Sequence, residues 1–129
     1  MIPIQHHTFN ILIMKKIFRR LAGYIVTIYA NRIYRKAVQE AEKIHALRME
    51  RIYVASSIED IRELVIYNRH KFRQIKKKLF IRDFYISNLK DGAWYYTADR
   101  SGKNGMTPQE KEARRLSFVR HVLQRAKLL

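Results

Sequence analysis

The stretch KKIFRRLAGYIVTIYANRIYRKAVQEAEKIHALRMER, residues 15–51, decides the fold. Ile17, Leu21, Ile25 and Ile28 recur at spacings of four, four and three, and Ile33, Ala37, Ala41 and Ile44 recur in the same way. Such spacing lines up side chains along an α-helix. No proline interrupts the run. Gly23 is its weak point, at a cost of about 1 kcal/mol relative to alanine. Lys36 with Glu40, and Glu40 with Lys43, add charge pairs at helical spacing. A helix this long outreaches a small domain. It therefore either breaks near Asn31 or packs against a partner chain.

Before this helix the sequence changes character. Pro3, His6 and His7 precede the apolar run Asn10-Ile11-Leu12-Ile13-Met14. Residues 1–13 read as an N-terminal arm or an upstream extension, with Met14 as a natural start, and residues 14–129 read as a single small basic domain. A secretory signal has its positive charge before the apolar core, whereas here Lys15 and Lys16 follow it. Counting from Met14 restores the order. Even so, the uncharged run 21–31 is only 11 residues long and is closed by Arg32. That is well short of the ~18–20 residues a membrane span needs.

After the long helix, residues 52–55 predict a short strand. Ser56 and Glu59 have capping-box spacing, which suits a short helix over 58–67. Leu64-Val65-Ile66-Tyr67 competes as a strand through its β-branched residues. Residues 69–79 predict a helix with Phe72, Ile75 and Leu79 on one face. Residues 84–89 and 93–97 flank Asp91-Gly92, the preferred dipeptide of a two-residue hairpin turn. Finally, Thr107-Pro108-Gln109-Glu110 marks a helix start: an N-cap threonine, proline at the first helical position and an acid three residues after the cap. That helix should run to about residue 127, with Leu116, Val119, Leu123 and Ala126 as its buried stripe. The expected class is α+β, predominantly helical, with a long N-terminal helix and a C-terminal helix packed on a small antiparallel β-hairpin.

Composition narrows the function. The 129 residues carry 27 Lys and Arg against 11 Asp and Glu, a net charge of +16. At 47% hydrophobic, the chain is too apolar to be disordered. It has no cysteine, which excludes disulfides, thiolate metal sites and thiol catalysis. The charge falls in blocks. Residues 15–36 hold Lys15, Lys16, Arg19, Arg20, Arg32, Arg35 and Lys36 with no acid. Residues 69–82 hold Arg69, Lys71, Arg73, Lys76, Lys77, Lys78 and Arg82, again with no acid. Lys111, Arg114, Arg115, Arg120, Arg125 and Lys127, against Glu110 and Glu112, add a third block. Several cationic blocks in one small chain form the electrostatic footprint of a polyanion partner.

Catalytic constellations are thin. Glu42-x-x-His45 occurs once, whereas a di-metal helical bundle needs the motif twice with two further carboxylates. The loop Arg100-Ser101-Gly102-Lys103-Asn104-Gly105 has phosphate-cradle composition but lacks the Walker spacing. It leads into a helix N-terminus, where free amides and the helix dipole attract anions, so Arg100 and Lys103 are candidate phosphate contacts. In the aromatic segment Trp94-Tyr95-Tyr96, strand alternation puts Trp94 and Tyr96 on one face and Tyr95 on the other. Trp94 suits the core, and Tyr95 is the candidate for stacking on a base.

The sequence thus predicts a non-catalytic nucleic-acid-binding protein, without cofactor or metal. Its phosphate contacts would come from Arg69, Lys71, Arg73, Lys76, Lys77 and Lys78, from Arg100 and Lys103, from Arg114 and Arg115, and from Lys15, Lys16, Arg19 and Arg20. Two alternatives remain open. One is an assembly protein, such as a phage or mobile-element component, whose long helix docks on a protein partner or on its own copy. The other is a peripheral protein that uses a basic amphipathic helix at 15–36 on an anionic membrane surface. The expected location is cytoplasmic, on a nucleoid or in a virion.

Overall fold

The computed structural model describes residues 2–57, 63–78 and 90–128 and, within them, the side chains of 10–57, 63–75, 77 and 90–128. The elements in chain order are α1 (Ile2–Arg48), β1 (Tyr53–Ser56), β2 (Leu64–Tyr67), α2 (Arg69–Lys78), β3 (Tyr95–Tyr96) and α3 (Pro108–Arg125). The molecule is α+β and mostly helical, with a long N-terminal helix, a C-terminal helix and a small antiparallel sheet.

Helix α1 runs unbroken through Gly23 and Asn31. Polar side chains in its middle turns bond back to the helix itself: the Thr27 hydroxyl donates to the Gly23 carbonyl at 2.7 Å and Asn31 Nδ2 to the Thr27 carbonyl at 3.0 Å. The helix stops where Met49 turns left-handed (φ 52°). The Met49 amide still bonds to the His45 carbonyl, and His45 Nδ1 donates to the Glu50 carbonyl at 2.8 Å. This capping role occupies the histidine of Glu42-x-x-His45.

The sheet order is β2-β1-β3, antiparallel throughout, with Tyr53 opposite Tyr67 and Tyr96, and Val54 opposite Ile66 and Tyr95. Alternation along the strands sends these two rows to opposite faces. Val54 and Tyr95 join Ala30, Tyr34, Val38, Ala41, Phe118, Val119 and Val122 in a core under α1 and α3. Tyr53, Tyr67 and Tyr96 join Phe72 and Ala93 in a second cluster under α2. The sheet is thus buried on both faces, between the α1/α3 pair and α2. Thr97 closes the ladder: its hydroxyl accepts from the Ile52 amide at 2.8 Å, and its own amide donates to the Ile52 carbonyl at 3.0 Å.

Three expectations are revised. Residues 64–67 are a strand, so a helix from 58 cannot reach Tyr67; residues 58–62 lie outside the described residues. Asp91 and Gly92 belong to a helical turn at 90–92, and Tyr95–Tyr96 pairs with β1. The first strand expected there, 84–89, is outside the described residues, and the hairpin of this sheet is β1–β2. In α3 the Thr107 cap forms as its sequence dictates, with the Glu110 amide donating to Thr107 Oγ1 at 3.2 Å. The buried stripe, however, is Phe118, Val119 and Val122, while Leu116 is 52% exposed and Ala126 is exposed. Phe118 sets this rotation. It is fully buried, tilted against Tyr34 at 5.8 Å and edge-on to Trp94 at 5.4 Å.

Candidate nucleic-acid interface

Helix α2 starts at Asn68, whose Oδ1 accepts the Lys71 amide at 2.7 Å while Nδ2 donates to Glu50 at 3.2 Å. Buried Phe72 fixes its inner face. Residues four apart share a helix face, so Arg69, Arg73 and Lys77 form one row, and all three are exposed. Each like-charge neighbour in such a row costs about 0.2–0.5 kcal/mol. An anionic ligand would relieve that repulsion. Lys71 is also exposed, with its ammonium 5.6 Å from the Tyr67 ring centre. Lys76 and Lys78 belong to α2, but their side chains lie outside the described set.

Arg69 opens onto a cleft of ≈ 650 Å³ lined by Glu50, Arg51, Tyr53, Arg69, Lys90, Asp99, Arg100 and Asn104. Four cations from four chain segments meet two carboxylates there, a balance of 4 − 2 = +2. The cleft unites Arg69 and Arg100, both foreseen, with Arg51 and Lys90, which were not. Neither of the latter sits in a charge block, the signal that sequence reading followed. Arg51 donates to the Asn104 carbonyl at 2.7 Å and lies 5.3 Å from the Tyr96 ring centre. Its Nε is buried without a hydrogen-bond partner. Lys90 lies over the same ring at 5.3 Å.

The carboxylates of the cleft are already engaged. Asp99 accepts from the Ser101 hydroxyl at 2.6 Å, the Ser101 and Lys103 amides at 3.0 and 2.9 Å, and Asn104 Nδ2 at 3.0 Å. The Ser101 hydroxyl and then the Lys103 amide hold its carboxyl well below the usual range. This arrangement corrects the cradle expected at residues 100–105: the amides that would bind phosphate bind Asp99 instead. The start of α3 is likewise served by Thr107 and by its own Glu110. What the loop offers a phosphate is the exposed side chains of Arg100 and Lys103.

Three further candidates turn inward. Tyr95 is buried, and its hydroxyl donates to Glu42 at 2.9 Å. Burial, reinforced by that bond, raises its phenol pKa, so it is a core residue and not a stacking platform. Arg114 donates to the Lys90 and Ala93 carbonyls at 3.0 and 2.5 Å and to Glu110 at 2.7 Å. It lies 5.2 Å from the Tyr96 ring centre and clamps residues 90–93 onto α3. Arg115 pairs with Glu112 and donates to Asn31, tying α3 to α1. Neither arginine is a free cation.

Lys15, Lys16, Arg19 and Arg20 are exposed on α1, and Arg19 reaches the Lys127 carbonyl at 3.4 Å. At 1.5 Å per residue, about 42 Å of helix separates Arg20 from Arg48, beside the cleft. The Lys15–Arg20 cluster therefore lies far along α1 from the cleft, with exposed Arg32, Arg35 and Lys36 between them. Among the described residues no group of three or more His, Asp or Glu could hold a metal ion. Compared with protein-family models, curated proteins and solved structures, the chain has no significant match in any of the three.

Proposed function

We propose that the protein binds nucleic acid through its phosphate backbone, using the outer row of α2 and the cleft beside it. The convergence of Arg69, Lys90 and Arg100 on one cleft, with Arg51 adding charge to its wall and Arg73 and Lys77 extending the row from Arg69, carries this reading. A groove with excess positive charge concentrates anions. The row lies on a rigid, capped helix, so its spacing is held without a ligand. Contacts of this kind position a duplex or single strand and carry no sequence information. Arg114, Arg115 and Tyr95 have no part in the footprint, because the fold already uses their polar atoms.

The test is titration of fluorescently labelled DNA and RNA with nuclease-treated, salt-washed protein, followed by anisotropy. The expected affinity falls steeply between roughly 50 and 200 mM salt. Absence of binding at low salt, or binding insensitive to salt, overturns the proposal.

A further inference from the structure

The N-terminal half of α1 carries a face that nothing in the described structure covers. Along residues 21–30 the helix alternates by side: Ala22, Gly23, Val26 and Thr27 are half-buried and Ala30 is buried, while Leu21, Tyr24, Ile25, Ile28 and Tyr29 are exposed. Exposure of the large apolar side chains on that outer side runs from 48% at Ile28 to 68% at Tyr24. At about 100° per residue, Ile11, Met14, Ile17, Phe18, Leu21, Tyr24, Ile25, Ile28 and Tyr29 fill an arc of about 140°. Ala30, Tyr34, Val38 and Ala41, which bury the other half of α1 in the core, point roughly 150° away from the centre of that arc. The apolar face thus switches sides of the helix and looks away from the domain up to Ile25, while Ile28 borders a cleft with Lys111 and Arg115, and Tyr29 one with Glu63 and Leu64. Among the described residues it takes no part in the domain's own core.

The charges identify the occupant. No acid occurs in residues 1–39. Lys15, Lys16, Arg19 and Arg20 lie on the side opposite the stripe, and Arg32, Arg35 and Lys36 lie in line with its C-terminal end. A second copy seated on the stripe would set Arg32, Arg35 and Lys36 at the contact with no counter-charge from residues 1–39. The stripe is also broader than the narrow seam of a two-helix coiled coil. Nucleic acid would offer counter-charge but no apolar phase. An anionic bilayer surface supplies both. We propose that α1, over residues 11–29, lies in the plane of an anionic lipid surface, its apolar arc among the acyl chains and its cations among the headgroups. Broad apolar arcs with basic opposite faces bind membranes in this way. No helix among the described residues is long and apolar enough to cross a membrane, so α1 lies along the surface. The domain then sits on the water side, with the cleft about 40 Å along the rod from the middle of the anchor. This inference is independent of the nucleic-acid reading, since it uses the other half of α1.

The test is flotation of the full chain, nuclease-treated, with vesicles of phosphatidylcholine alone or mixed with phosphatidylglycerol. The wild type should float with the mixed vesicles and much less with phosphatidylcholine. Leu21→Asp with Ile25→Asp should abolish flotation while leaving the circular dichroism spectrum and melting curve unchanged, since both side chains point away from the core. Lys15→Ala with Lys16→Ala should weaken binding to mixed vesicles by about fivefold per charge. Wild-type protein that stays with the pellet overturns the proposal. So does a discrete dimer that the Asp pair dissociates, because the stripe would then belong to a second copy.

Discussion

Removing two charges from the α2 row, Arg69→Ala with Arg73→Ala, should change the salt dependence of nucleic-acid binding by an amount the structure sets. Among the described residues, the free cations of the proposed surface are Arg69, Arg73 and Lys77 on α2 with Lys90 and Arg100 in the cleft. Arg51 is left out because it already holds the Asn104 carbonyl. Five neutralised phosphates give a slope of log K against log salt of about −4.5, and three give about −2.7. Between 50 and 200 mM salt the wild type should therefore lose about 500-fold in affinity and the variant about 40-fold. The two curves should converge at high salt. Folding is not at issue: both side chains are exposed, and their removal relieves like-charge repulsion of a few tenths of a kcal/mol, about 0.2–0.5 per neighbouring pair. The assay is anisotropy with a duplex of about ten base pairs, about 34 Å long. That is shorter than the roughly 42 Å of helix between Arg20 and the cleft end of α1, so it cannot span from Arg20 to the cleft. Lys15→Ala with Lys16→Ala should leave the slope for this short duplex unchanged. An unchanged slope in the α2 variant refutes the reasoning, and so does an equal change in the Lys15/Lys16 variant.

Other expectations concern the groups the fold uses. Arg114→Ala strands the Ala93 and Lys90 carbonyls and one Glu110 oxygen, and should lower unfolding free energy in urea by about 2–3 kcal/mol. Arg114→Lys should not restore it, because an ammonium lacks the planar fork. Tyr95→Phe removes the bond to Glu42 and should cost about 1 kcal/mol with no change in nucleic-acid affinity; a large loss of affinity would return Tyr95 to the binding surface. His121 packs on Trp94 at 5.4 Å, its Nε2 is buried without a hydrogen-bond partner, and burial, then Arg125, lowers its pKa below 6.5. The unfolded chain thus takes up this proton first. His121 should contribute full stability above about pH 7, and the contribution should shrink as pH falls through 6.5 towards the folded value. Melting curves of wild type and His121→Phe should diverge in that window and run parallel above it.

Local signals were legible where short-range chemistry decides the outcome. Thr107-Pro108-Gln109-Glu110 caps a helix in almost any context, and α3 begins there. Phe72 and Ile75 suffice to orient α2. Long-range pairing was not legible. Asp91-Gly92 favours a tight turn, but β3 finds its partner in β1, some 40 residues earlier, and residues 90–93 are held instead by Arg114 on α3. That partner choice also decided the fate of Tyr95. Alternation separates it from Tyr96, but Trp94, expected beside Tyr96, packs in the cluster of Tyr95; this sheet buries both faces, so both rows of tyrosines become core. The cleft was half legible: Arg69 and Arg100 stood out, while Arg51 and Lys90 gained meaning only through the loop that Asp99 organises.

The spacing of α1 held more than periodicity alone conveys. Ile17, Leu21, Ile25 and Ile28 keep helical phase with one another, as do Ile33, Ala37, Ala41 and Ile44. Between the two sets lies a step of five, from Ile28 to Ile33, and five residues turn an α-helix by about 140° beyond a full circle. The two stripes therefore lie on different sides of one straight rod. Rotating α1 to bury the first stripe under α3 would expel Tyr34 and Val38, which are 2% and 4% exposed in the core. Among the described residues no rotation of α1 buries both. The second stripe stays in the core, and nine large apolar side chains of the first face outward, each costing roughly 25 cal/mol for each Å² left in water, which is the cost the proposed lipid surface would remove. With Lys15, Lys16, Arg19 and Arg20 on the opposite side, the proposed anionic lipid surface matches the rod in charge as well as in apolar depth.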